Sequence, residues 1–184
     1  MKNKVCLTLC FLILAVSFAY GQNATTANRR TALRCLSLAK EYASSRAWSS
    51  VESLASQGLA YDDTISDLYY MLAYAKNQLG DSKAEVIPLV QASLTGGEWV
   101  DYNRDSARVL YADLLCDTGN AALVPAILDA SPLIYSADAE YIRAKAYYII
   151  ATPDSLSKAR AKVDSARKIY PLDTRFPLLF YKYE

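Results

Sequence analysis

A helical pattern, a short break and a second helical pattern recur along nearly the whole chain, and this alternation leaves few folds open. Apolar residues within each pattern return at spacings of three and four, the period of a helix face rather than of a strand. The runs pair up: "TALRCLSLAKEYA" with "WSSVESLASQGLA", "SDLYYMLAYAKNQL" with "SKAEVIPLVQASL", "RDSARVLYADLLC" with "AALVPAILDA", and "ADAEYIRAKAYYII" with "LSKARAKVDSARKIY". The breaks inside these pairs centre on Arg46, Gly80, Gly119 and Asp154, at intervals of 34, 39 and 35 residues. The long interval contains "LTGGEWVDYN", read as an extended loop between units. Pro125 falls in a first helical turn, where proline is tolerated, whereas Pro88 is expected to kink or trim its helix. An all-α chain of short helices follows.

Periodic helix pairs of about 34 residues mark one repeat family, and the residues inside the units carry the same resemblance. In "CLSLAKEY", a large residue (Cys35) is followed by Leu38-Ala39 and then by the aromatic Tyr42. "YYMLAYAK" repeats this with Tyr69, Leu72 and Ala73, although Lys76 stands in the aromatic position. The last unit places Ala159, Val163, Ala166 and Pro171 where the second-helix half of the motif has small, large, small and proline. The third unit keeps Ala112 and Gly119 but carries Arg108 at a large-residue position. The chain thus resembles the tetratricopeptide repeat family over residues 32–173. The resemblance implies a right-handed α-solenoid of about four antiparallel helix pairs, a TPR-like superhelix, over residues 32–175. A generic α-solenoid is the competing reading. In this register Ala39, Ala73 and Ala112 are helix contact points, and Leu38, Tyr42, Leu72 and Val163 fill the grooves beside them.

Residues 1–21 read as a cleaved secretory signal. Lys2 and Lys4 precede the apolar run Val5–Ala19, and Ala19-Tyr20-Gly21 supplies the small residues of a cleavage site. That run is shorter than the roughly 20 apolar residues a spanning helix requires, so no integral membrane segment is expected after cleavage. An uncleaved anchor is the alternative. A flexible leader is expected over 22–31. Export places the protein in the periplasm or cell envelope of a Gram-negative bacterium, or otherwise outside the cell. Without Lys2 and Lys4, 18 basic residues face 19 acidic ones, and no basic block suggests a nucleic-acid partner.

Recognisable catalytic chemistry is sparse. The chain has no histidine, which removes the commonest general base and metal ligand. No nucleotide or phosphate-loop motif is present, so no cofactor and no enzymatic activity are expected. Asp101, Asn103 and Asp105 imitate the opening of a calcium loop, but Ser106 and Ala112 occupy the positions that need Gly and Glu. A helix cap is the expected role. Cys35 and Cys116 read as buried thiols.

Tyrosine is abundant, with fifteen residues against four phenylalanines. The repeat resemblance puts Tyr70, Tyr74 and Tyr147 on the concave first-helix face, with Lys40, Asn77, Gln78, Asp113 and Arg143 near them. These eight residues are the expected contacts for a protein or peptide partner, since tyrosine offers rigid apolar area with a polar tip. An apolar small-molecule site in an envelope transport system is the rival function. The terminal segment Phe176–Glu184 is rich in large apolar residues. It reads as the start of a further helix or a C-terminal cap. The chain is then a fragment of a longer array or self-associates through that segment.

Overall fold

The structure is a computed structural model that describes residues 25–131 and 136–183. The expected signal segment, residues 1–21, lies outside the described residues. Among those described the protein is all-helical, and the helices pack in adjacent pairs. Helix α1 covers 25–44, α2 is Trp48–Tyr61, α3 is Ser66–Leu79 and α4 is Lys83–Thr95. Helix α5 is Arg104–Asp117, α6 is Val124–Asp129, α7 is Ala137–Ile150, α8 is Pro153–Ile169 and α9 is Arg175–Tyr183. A 3-10 turn, Ala121–Leu123, leads into α6.

Local chemistry sets the helix starts. The Ser82, Asn103 and Ser136 side chains each accept a backbone N–H of the first turn of α4, α5 and α7. Thr152 and Ser155 form a reciprocal capping box ahead of α8, with Pro153 at the first position. Asn103 therefore acts as a cap, as its sequence context suggested, while Asp105 pairs with Arg108 and accepts from Ser131.

The hairpin breaks share one backbone feature. Arg46, Gly80, Gly119 and Ala151 all have positive φ, of 59°, 87°, 77° and 56°. A left-handed residue is the usual way to end one helix and reverse the chain into the next. The fourth break is thus at Ala151 rather than at Asp154. Two further expectations change. The leader 22–31 was expected to be flexible, but helix α1 already runs from residue 25. Helix α4 is not trimmed at Pro88 but runs through it, and Pro88 and Ala84, whose carbonyl lacks its partner there, are both exposed to solvent.

The core is serial. One apolar cluster joins α1, α2 and α3 through Leu36, Ala39, Val51, Ala55, Leu68 and Met71. A second joins α3, α4 and α5 through Ala73, Val86, Val90, Ala107 and Leu110. A third joins α5, α6 and α7 around Ala112, Leu115, Leu128 and Ile142, and a fourth joins α7, α8 and α9 around Ala144, Tyr148, Val163 and Phe176. Each of α3, α5 and α7 belongs to two clusters. The expected contact alanines, Ala39, Ala73 and Ala112, are fully buried. Gly58 meets the same demand on α2, where an added Cβ would sit 2.8 Å from a Leu68 methyl group.

Tyr42 departs from the expected register. It is 44% exposed, because the buried stripe Ala32, Leu36 and Ala39 continues to Ala43 rather than to its neighbour. Cys35 and Cys116 are buried and free, and burial pushes the Cys116 thiol up to about 11. In α9, Phe176 and Leu179 enter the fourth cluster and Tyr183 stacks on Tyr148, whereas Leu178 and Tyr181 stay exposed.

Two substitutions should move stability in opposite directions. Ala73→Leu adds volume where α3 meets α4 and α5, and overpacking of this type costs roughly 1–3 kcal/mol. Ala151→Gly relieves a left-handed non-glycine residue and should add about 0.5–1 kcal/mol. Urea denaturation of both variants reads the signs directly.

Candidate functional site

The site begins at a buried carboxylate. Asp67, in the first turn of α3, is fully buried. Its carboxylate accepts the backbone N–H groups of Val100, Asp101 and Tyr102 at 2.8, 2.9 and 2.6 Å. Hydrogen bonds to an ionised acceptor are among the stronger ones in proteins, and a carboxylate near a helix N-terminus also meets the positive end of the helix dipole. The neighbouring stretch is held by an isolated β-bridge. Ser66 N–H donates to Glu98 C=O at 2.9 Å, and Glu98 N–H donates to Thr64 C=O at 3.0 Å. Gly97 permits this approach, since a Cβ there would lie 2.3 Å from the Thr64 carbonyl oxygen.

The pinned loop delivers aromatic rings to α3. Tyr70 packs against Tyr102 at 5.0 Å between ring centroids, against Tyr74 at 6.0 Å and against Trp99 at 6.3 Å. Trp48, opening α2, meets Tyr74 edge-on at 5.4 Å. Burial pushes the Tyr70 phenol well above the ordinary tyrosine range and raises that of Tyr102. Lys40 on α1 closes this side: its ammonium bonds Asp101 at 2.9 Å and lies over the Tyr102 ring. The hydrogen bond that this ammonium donates to Asp101 raises the lysine pKa.

Trp48, Tyr70, Tyr74 and Tyr102 face an open groove of about 890 Å³. Its walls come from the odd-numbered helices: Lys40, Ala43 and Ser44 of α1; Tyr70, Met71, Tyr74, Asn77 and Gln78 of α3; Asp105, Ser106, Val109, Leu110 and Asp113 of α5; Asp138, Tyr141 and Ile142 of α7; and Arg175 of α9. Trp48 of α2 and the loop residues Tyr102, Asn103 and Ser136 complete the lining. Arg175 bonds Asp138 at 2.7 Å and Asp173 at 2.7 Å while covering Tyr141.

Six residues singled out in the sequence therefore share one concavity: Lys40, Tyr70, Tyr74, Asn77, Gln78 and Asp113. The other two lie elsewhere. Arg143 is buried, bonded to Glu140, to Asp129 at 3.2 Å and to the Leu128 carbonyl at 3.1 Å. The reason is α6, a single short helix whose terminal carbonyls lack intrahelical donors. Arg143 supplies those donors from α7. Tyr147 is half-buried against the fourth core cluster, on the side of α7 that meets α8 and α9.

The sequence reading missed Trp48, Tyr102, Tyr141 and Arg175. Tyr102 lies in the loop between α4 and α5, where helix periodicity assigns no face, and Trp48 is the first residue of α2, a second helix of its pair. No cluster of three or more histidine, cysteine or carboxylate side chains is arranged to hold a metal among the described residues. Likewise, no helix among them is long and apolar enough to cross a membrane. Comparison with protein-family models, curated proteins and solved structures finds no match for the chain.

Removing the Asp67 carboxylate tests the anchor. Asp67→Ala should cost about 3 kcal/mol through three lost charge-assisted bonds, with hydrogen-exchange protection falling at the amides of residues 100–102. Asp67→Asn retains one acceptor oxygen and should lose less. Unchanged protection in the alanine variant would contradict the anchoring role.

Proposed function

We propose that this chain is an exported, non-catalytic interaction scaffold. In this reading its helix pairs form a right-handed TPR-like solenoid, and the concave groove holds a peptide or protein partner. The observation that carries the reading is the lining: alternate helices α1, α3, α5, α7 and α9 supply one continuous wall. Such a wall is what stacked helix pairs present on their inner face. Aromatic rings on that wall, interleaved with Asn77, Gln78, Ser106 and paired charges, suit an extended chain with both apolar and hydrogen-bonding groups. The rival reading, a site for an apolar small molecule, fits less well. Such sites are lined predominantly by apolar groups with few polar ones, whereas polar and charged side chains run the length of this lining. The signal-like N-terminus supports export, to the periplasm or envelope if the host is Gram-negative.

A photo-reactive amino acid at the exposed Gln78 position should trap one discrete protein in the exporting host. The same probe at Lys158, an exposed residue of α8 outside the groove, should not. Tyr74→Ala should abolish the adduct, since truncating a central aromatic contact costs about 2 kcal/mol or more of binding. Equal trapping at both positions, or none at Gln78, would refute the groove as the binding face.

A further inference from the structure

The groove is not the same at its two ends. Ser44, Asn77, Gln78 and Asp113 come from the last two turns of α1, α3 and α5. Helix C-termini carry partial negative charge. Asp113 lines the groove here, with Lys83 and Lys145 outside its wall, and Lys40, also in the last two turns of α1, is held by Asp101. Lys145 divides its ammonium between Asp113 at 2.9 Å and Asp117 at 2.8 Å. Burial pulls its pKa down, but the bonds to Asp117 and Asp113 outweigh this and hold the ammonium above the usual lysine range. Lys83 bonds the Asn77 side-chain oxygen and lies 4.0 Å from Asp117. Only one Asp113 oxygen, Oδ1, is engaged by these groups, and a carboxylate has room for several donors.

An aromatic wall lines the same groove. Tyr74 shares a face of α3 with Asn77 and Gln78, at the three- and four-residue spacing that aligns side chains. Trp48 packs edge-on against Tyr74. Tyr102 and Tyr141 already lie against cations of the protein itself, Lys40 and Arg175. No such partner stands over Trp48 or Tyr74 among the described residues. An aromatic face next to a carboxylate attracts a cation through the ring quadrupole and by direct charge.

We infer that the Trp48–Tyr74–Asp113 end of the groove receives a lysine or arginine side chain of the bound peptide. The inference rests on the proposed peptide-binding role of this same groove and adds the chemistry of its guest. The Gln78 side chain, in the lining at this end, offers a further acceptor oxygen, while that of Asn77 already accepts from Lys83. The opposite end is formed by the N-termini of α5, α7 and α9, whose partial charge is positive, and its lining carboxylates are committed: Asp105 to Arg108 and Ser131, Asp138 to Arg175.

The test is an array of degenerate decapeptides probed with the purified full chain at low ionic strength. Lysine and arginine together should be enriched at least about fivefold among bound peptides at one position. Asp113→Asn, which leaves Lys145 paired with Asp117, should abolish that enrichment while the melting temperature stays near that of the parent. Asp164→Asn, on the exposed face of α8 and outside the groove lining, should leave the enrichment intact. Bound peptides with no basic preference would overturn the inference while leaving the peptide-binding groove standing. Equal loss in both variants would reduce the effect to general electrostatics and overturn the subsite. Absence of any bound peptide would overturn the inference and the groove reading together.

Discussion

The groove depends on a carboxylate that never reaches solvent. Asp67 is buried with no ion pair among the described residues, an arrangement that is costly unless its oxygens are fully hydrogen-bonded. Three consecutive amides of the 100–102 segment meet that demand. The same bonds fix a loop that would otherwise be a long, loosely held connection between α4 and α5. Once it is fixed, Trp99 and Tyr102 have only one place to pack, against Tyr70, and Asp101 is brought to Lys40 of α1. Three segments distant in sequence thus become one wall.

Serial packing does the rest. Helices α3, α5 and α7 each contribute buried residues to the cluster behind and to the one ahead, whereas the buried cluster residues of α2, α4, α6 and α8 fall in one cluster each. Small residues at the crossing points let the backbones approach closely, as at Ala39, Ala73, Ala112 and Gly58. Left-handed residues at each hairpin reverse the chain in very few residues. Where that residue is Arg46 or Ala151, packing on both sides holds a conformation that the side chain disfavours.

Charge is handled locally. Arg143 closes the open end of α6, Lys145 joins α7 to the end of α5, and Arg175 ties α9 to the start of α7. Each spans neighbouring elements in the helix stack. The groove is thereby left with few uncommitted charges, and the free Asp113 oxygen gains weight from that.

Much of the fold was legible in the sequence. The helix-period spacing and the breaks at Arg46, Gly80 and Gly119 follow from local pattern. The buried alanines and the six groove residues were expected from the register that the repeat resemblance implies. Tertiary structure decided what periodicity does not encode. Whether Tyr42 or Ala43 turns inward depends on how α1 rolls against α2 and α3. The burial of Arg143 depends on α6 ending where its carbonyls need donors. The aromatic wall depends on a carboxylate reaching a loop more than thirty residues away in sequence. Helical periodicity records only near neighbours along the chain, whereas these three outcomes are set by contacts between elements.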